Sequence, residues 1–206
     1  RGLGDVYKRQ SLDQSIEIVR KRVDEIGTNE PNILKRGNDR ILVELPGLDN
    51  PDRIKSLLGK TANITIQFIT NNEEESFGTE KLFSEDDSDE VVVSKRIIIS
   101  GENLLDAKPH MDTLNNETVV LFTLDRVGAK KFGKATTSGV GKRLAIILDG
   151  VVISAPTIQE PIVTGTGQIT GDFTFQSATD LALLLRSGAL PAPLNIIEER
   201  TVGPDL

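Results

Sequence analysis

Residues 141–161, GKRLAIILDGVVISAPTIQEP, decide the fold, because two apolar runs flank the pair Asp149-Gly150. An Asp-Gly pair between apolar runs is among the strongest local signals for a β-hairpin. Residues 144–148 are continuously apolar, which predicts a strand that is buried on both faces. The prolines at the end of the stretch have no backbone N–H to donate, so strand pairing should stop near them.

A helix is predicted on each side of this hairpin. Asp125 is the expected N-cap of a helix that ends near Gly139, and Thr174 is the expected N-cap of a more apolar helix that ends at Gly188. Helices that flank a central hairpin are typical of a compact α+β unit.

The N-terminal part has the order helix, strand, strand, helix, strand. Residues 11–26 form an amphipathic pattern whose apolar face excludes Arg22 and the other charged side chains, and Gly27 should end the helix. A hairpin is predicted over 32–45, and a short helix over 51–58. Residues 62–69 alternate as in a half-buried strand. This order is ferredoxin-like with its first strand missing.

Residues 1–10, RGLGDVYKRQ, show no period, cap or apolar face and look like foreign, non-native sequence. We exclude them from the fold prediction. The missing strand would then precede Ser11.

The net charge of −7 is concentrated in one segment. Residues 71–90 hold nine acidic side chains against Lys81 alone, which leaves the remainder at about +1. Like charges and few apolar residues predict a solvated linker. A cation site is the alternative, but the Asp-x-Asp-x-Asp-Gly spacing of a calcium loop is missing.

Further strands are expected over 91–99, 119–124, 164–170 and 194–202, with a capped turn or short helix over 100–107.

The composition excludes several classes of site. There is no cysteine and only one histidine, His110, so disulfides, thiolate sites and multi-histidine metal sites are excluded. No apolar run reaches the roughly 18 to 20 residues that span a bilayer. No basic patch is evident for nucleic-acid binding.

No enzyme motif is recognisable. The glycines from Gly165 to Gly171 are not followed by the Lys-Ser/Thr of a phosphate loop, and Ser154 lacks a G-x-S-x-G context. Asp149 is better explained as a turn residue than as a catalytic carboxylate, and His110 has no partner at a nucleophile spacing. We therefore predict no catalytic residue, cofactor or metal, and a binding or mechanical module rather than an enzyme.

Four stretches in order resemble the SecD family of bacterial protein-export subunits. They are SLDQSIEIVRKRVDEIGTNEP, DRILVELPGLDNPDRIKSLLGKTA, GKRLAIILDGVVISAPTIQEPI and TDLALLLRSGALPAPLNIIEERTVGPDL, and they span most of residues 11–206. The resemblance implies a periplasmic region between two transmembrane helices at the inner membrane. It further implies a ferredoxin-like base (11–70 plus 194–206), the acidic linker (71–90) and an inserted head subdomain (91–193).

The family resemblance also implies partners and a mechanism. The expected partners are SecF, the SecYEG translocon, YajC and unfolded preprotein. The head would engage emerging preprotein and swing, with proton coupling in transmembrane helices outside this chain. Gly188, Pro191 and Pro193 are candidate hinge residues. Residues 91–99 and 158–163 are candidate strand edges for polypeptide binding. The alternatives are a structural loop that stabilises the assembly without binding preprotein and, less favoured, an extracytoplasmic hydrolase.

Overall fold

The computed structural model describes residues 2–71, 76–85, 88–197 and 200. The chain divides into two compact units: unit 1 is Arg1–Thr61 with Leu190–Leu206, and unit 2 is Ala62–Ala189. The described residues contain four α-helices and three sheets whose strands pair antiparallel. The predicted α+β class is confirmed.

Unit 1 contains two helices and one hairpin, at the places that the sequence predicts. The elements are α1 (Gly2–Ile26), β1 (Asn32–Arg36), β2 (Arg40–Glu44) and α2 (Pro51–Gly59). Gly27 ends α1 with φ 79°, and the Asn50 side chain accepts the N–H of Arg53 at the start of α2. Residues 2–10, which the sequence left outside the fold, extend α1, because adding turns to an existing helix requires no new nucleation.

The core of unit 1 is formed by α1, β1 and the end of the chain. Val19, Val23, Ile33 and Leu190 are buried, and Leu194 packs against them. The C-terminal segment therefore returns to unit 1 as expected. However, residues 194–197 form no strand, because three of their four side chains face solvent and Pro193 cannot donate to a ladder. The rest of the predicted strand 194–202 lies mostly outside the described residues.

Arg22 corrects the predicted helical face, since it is fully buried rather than solvent-exposed. Its Nη1 donates to the carbonyl oxygens of Leu57 at 2.9 Å and Leu58 at 3.2 Å, and also to that of Lys60. The last carbonyls of a helix lack intrahelical donors, so this guanidinium satisfies the C-terminus of α2. Arg22 thereby fixes α1 against α2.

Replacing Arg22 with methionine should destabilise unit 1 by about 2–4 kcal/mol, because several buried carbonyls lose their donor. Urea unfolding monitored by NMR signals of unit 1 would measure the change. Arg20→Met, at an exposed position of the same helix, is the matched control. Equal stability of the two variants would contradict this role of Arg22.

The described residues of unit 2 form two sheets and two helices. The elements are β3 (Ile64–Ile69), β4 (Thr79–Phe83), β5 (Glu90–Ser100), a 3₁₀ turn (Gly101–Asn103), β6 (Leu104–Asp112), β7 (Glu117–Leu124), α3 (Arg126–Ser138), β8 (Leu144–Leu148), β9 (Val151–Ser154), β10 (Thr166–Ile169) and α4 (Phe175–Ser187). The five-stranded sheet has the order β4-β5-β3-β8-β9, and the three-stranded sheet has the order β10-β7-β6.

The central hairpin and both helix caps are confirmed. All five residues of β8 are buried, and the turn residues Asp149 and Gly150 have φ of 50° and 81°, as a type I′ turn requires. Asp125 accepts the N–H of Gly128 at 2.6 Å, and Thr174 forms a capping box with Ser177. The sequence overlooked β6, which contains Pro109.

The edges of the five-stranded sheet meet each other. Ser84, directly after β4, forms a parallel bridge with Val152 of β9, and the N–H of Glu85 donates to the carbonyl of Val152 at 3.1 Å. Val93, Ala145, Ile147 and Val152 form a buried cluster in this sheet, with Leu82 of β4 packed against it. The predicted acidic linker thus contains a strand, because Leu82 is held by this apolar cluster while its charged neighbours remain accessible.

The compact units of the structure divide the chain at a different place from the predicted base and head. Residues 62–69 were assigned to the base, but β3 pairs with β5 and β8 and lies in unit 2. The chain crosses from unit 1 to unit 2 between Thr61 and Ala62, and crosses back between Ala189 and Leu190. An alternating strand reveals its buried face but not the strands that pair with it.

Candidate functional site

The side chains considered for catalysis do not converge. His110 lies exposed on β6, and Ser154 Oγ lies 3.4 Å from Thr170 Oγ1. Across residues 2–71, 76–85, 88–197 and 200, no three side chains of the metal-ligating type come together. The enclosed apolar cavity beside Phe122 and Leu185 has a volume of only about 10 Å³. It is too small for a ligand, since small-molecule sites occupy ~300–1,000 Å³.

One of the two predicted strand edges is wrong. Residues 91–99 belong to β5, which pairs with β4 through residues 90–94 and with β3 through residues 93–100. β5 therefore lies inside the sheet, although the two pairings overlap only at residues 93–94 and residues 97–100 pair with β3 alone. An apolar strand at the centre of a sheet has the same composition as an apolar edge strand, which explains the error.

The other predicted edge, residues 158–163, runs beside α3. The N–H of Ile158 donates to the carbonyl of Lys142, and the N–H of Ile162 donates to Thr136 Oγ1, both at 2.9 Å. Val163 follows with 68% of its surface exposed. The segment is anchored at both of these points, but it forms no strand and bends at Glu160.

A surface groove lies between α3 and this segment, and we call it the α3 groove. Its volume is about 550 Å³. The two walls pack closely at Gly133, where a Cβ would lie in ordinary van der Waals contact, 3.5 Å from Val163 Cγ1 and 3.6 Å from the carbonyl oxygen of Ile162. The lining residues are Ala129, Lys130, Gly133, Lys134, Thr137, Ser138 and Val163.

The α3 groove combines an apolar wall with positive charge. Lys130 and Lys134 are exposed, whereas the Thr137 and Ser138 hydroxyls donate to helix carbonyls and so offer mainly acceptor lone pairs. Sequence reasoning missed the groove because its walls are about thirty residues apart in the chain. The available signal was α3 itself, which carries Arg126, Lys130, Lys131 and Lys134 without any acidic residue.

The two crossings between the units are neighbours. The N–H of Leu190 donates to the carbonyl of Thr61 at 2.9 Å. Gly188 ends α4 with φ 94° and donates to the carbonyl of Leu184, while Pro191 and Pro193 lie exposed beyond it. A positive φ of this size suits glycine and no other residue, so Gly188 fixes where the helix stops.

Asp149 binds the backbone of unit 2 directly after the crossing between Thr61 and Ala62. Its Oδ1 accepts the N–H of Asn63 at 2.8 Å, and its Oδ2 accepts the N–H of Ala62 at 3.1 Å. Its own N–H donates to the carbonyl of Asn63 at 2.9 Å. Ala62 has φ 54°, a conformation that costs energy for a non-glycine residue. The carboxylate stabilises this conformation of Ala62. Asp149 therefore does more than form the turn that the sequence predicts.

Asp149→Ala should lower the stability of unit 2 by about 2 kcal/mol, because two backbone N–H groups lose a charged acceptor. Asp149→Asn should cost roughly half as much, since asparagine suits the type I′ turn but its amide presents one acceptor oxygen instead of two. Thermal and urea unfolding would measure both variants. A loss in Asp149→Ala with none in Asp149→Asn would show that the turn, and not the carboxylate, matters.

Comparisons with known proteins also divide the chain into two parts, with β3 in the N-terminal part. Residues 12–71 match the family described as "Protein translocase subunit SecDF, P1 domain, N-terminal", and residues 79–192 match "SecDF, P1 head subdomain". The matched regions define an export-translocase domain. This chain belongs to the SecD/SecDF family of protein translocase subunits.

Individual relatives support this assignment. The SecD subunit of Rickettsia felis is 46% identical over 95% of this chain, and that of Magnetococcus marinus is 41% identical over 97%. The chain spans about 40% of the length of these relatives. No helix in the described part of the chain combines the length and hydropathy that a membrane span needs.

Two solved structures share the fold. One is described as "Structure and function of a membrane component SecDF that enhances protein export"; it has a TM-score of 0.77 and 30% identity, and the match covers 94% of both chains. The other, a crystal structure of SecDF in a super-membrane-facing form, has a TM-score of 0.78 and 30% identity. That match covers 92% of this chain and 28% of the larger protein.

Proposed function

We propose that this chain is the periplasmic region of a Sec translocase accessory subunit and that unit 2 engages emerging preprotein. The longer protein would lie in the bacterial inner membrane with SecF and YajC beside the SecYEG translocon. Movement of unit 2 would be coupled to proton-driven transmembrane helices outside this chain. Family membership supports the role in protein export.

The α3 groove is the observation that carries the binding role. An unfolded preprotein exposes apolar side chains and unpaired backbone groups, so its receptor needs apolar surface and backbone partners with little sequence selectivity. The groove is open, about 550 Å³ in volume, and walled by the exposed Val163. It therefore suits a short extended stretch better than a folded surface.

The paired crossings support the proposed movement. Both connections between the units run side by side at Thr61 and Leu190, so a rotation there would strain only two short segments. Gly188, Pro191 and Pro193 remain our proposed hinge residues at the second crossing. Ala62 is our proposed hinge residue at the first crossing.

Titration with an unfolded secretory polypeptide should shift NMR signals of residues that line the α3 groove, at micromolar to millimolar concentrations. The folded form of the same polypeptide is the control and should cause no shifts, because its apolar side chains and backbone groups are already buried. Silence at millimolar concentration would contradict the binding role and favour a structural loop that stabilises the SecDF–SecYEG assembly.

Replacing Pro191 and Pro193 together with glycine should increase the mobility of one unit relative to the other without unfolding either, because glycine removes the restriction on φ. NMR relaxation would report separate rotational correlation times for the units. Pro46→Gly, in an exposed turn of unit 1, is the control. Unchanged relaxation in the double variant would refute the hinge assignment.

A further inference from the structure

Helix α3 has a charge pattern that its own surroundings do not neutralise. Lys130 and Lys134 are one helical turn apart, and like charges at this spacing destabilise a helix. Neither lysine forms a salt bridge with any described residue. Glu160, the acid nearest to the opposite wall along the chain, is exposed and also forms none among these residues. The groove thus presents unpaired positive charge on a chain with a net charge of −7.

The opposite wall offers a backbone to pair with. Val163 lies just beyond the hydrogen bond of Ile162 to Thr136, and its own N–H and C=O have no hydrogen-bond partner in the described part of the chain. Pairing with an added extended segment would satisfy both groups. A lipid headgroup supplies phosphate oxygens but no such pattern of alternating donors and acceptors.

The spacing of the lysines matches an extended peptide. Four residues along a helix advance by ~6 Å, and two residues along a strand advance by ~6.6 Å. Acidic side chains at alternate positions of an extended segment therefore point to the same side at nearly the distance that separates Lys130 from Lys134. Adjacent acidic residues would point to opposite sides.

We propose that the α3 groove selects extended polypeptide segments with acidic residues at alternate positions, Glu-x-Glu, through Lys130 and Lys134. This inference rests on the proposed function, since it names the kind of preprotein segment that unit 2 holds. The two ion pairs supply selectivity, while Val163 supplies apolar and backbone contacts that any segment can use.

The test is a calorimetric and NMR titration of the 206-residue chain with three ten-residue peptides that share the same apolar residues. One peptide carries Glu-x-Glu, the second carries Gln-x-Gln, and the third carries two adjacent glutamates. We expect Glu-x-Glu to bind about fivefold more tightly than Gln-x-Gln and about twofold more tightly than the adjacent glutamates, because each exposed ion pair contributes modestly and adjacent glutamates direct only one carboxylate to the lysines. The preference should fall as salt concentration rises.

Matched variants separate the groove from general charge. Lys130→Gln with Lys134→Gln should abolish the preference, bringing the affinity ratio close to one. Lys95→Gln with Lys108→Gln removes the same charge from exposed positions outside α3 and should leave the ratio unchanged. If both double variants lose the preference equally, the selection is not made by the groove.

The remaining outcomes are distinguishable. Equal binding of all three peptides, unaffected by the lysine changes, would overturn the selectivity and leave the proposed function intact. Failure of all three peptides and of the unfolded polypeptide to bind would overturn both. Binding of the chain to phosphatidylglycerol vesicles that depends on Lys130 and Lys134, without peptide binding, would assign the groove to the membrane surface instead.

Discussion

The contact between the Asp149 carboxylate and the start of β3 determines how the rest of the chain is arranged. It accepts the backbone N–H groups of Ala62 and Asn63 and so joins β3 to the turn of the central hairpin. Once β3 is fixed beside β8, the crossing from unit 1 must fall at Thr61. That position is where Leu190, on the returning chain, donates its N–H. One buried hairpin therefore sets both the sheet order of unit 2 and the place where the units are connected.

The two units are stabilised by different means. Unit 2 has a sheet whose edges meet through Ser84 and Val152, with an apolar cluster that includes fully buried Val93 and Ala145. Unit 1 has a smaller apolar core and uses the buried guanidinium of Arg22 to satisfy the end of α2. The charge of α3 lies on unit 2.

Local signals in the sequence predicted local structure well. The Asp149-Gly150 turn, the caps Asp125 and Thr174, and the stop at Gly27 all depend on residues within a few positions, so the sequence alone could place them. The partners of β3, the burial of Arg22 and the strand within the acidic segment depend on residues far away in the chain. A helical period cannot show that Arg22 meets carbonyls about 35 residues later. An alternating pattern cannot show which sheet receives a strand.

The candidate site was the hardest part to predict for the same reason. Residues 158–163 were selected as an edge from their apolar composition, and their place as one wall of the α3 groove follows only from packing against Thr136 and Gly133. The four cations of α3 were visible in the sequence, but the sequence could not show that they form no salt bridge with the described residues. The hinge candidates Gly188, Pro191 and Pro193 were named from the sequence, because glycine and proline mark where a helix stops.

Native-state hydrogen exchange in the Arg22→Met variant tests the central claim most directly, namely that β3 belongs to unit 2 and not to unit 1. Local unfolding exposes amides in the cooperative unit that opens. The account predicts that amides of α1 and β1 lose protection in this variant, while those of Ile64–Ile69 keep the protection measured for β8. Loss of protection in Ile64–Ile69 together with α1 would contradict the account, because β3 would then unfold with unit 1.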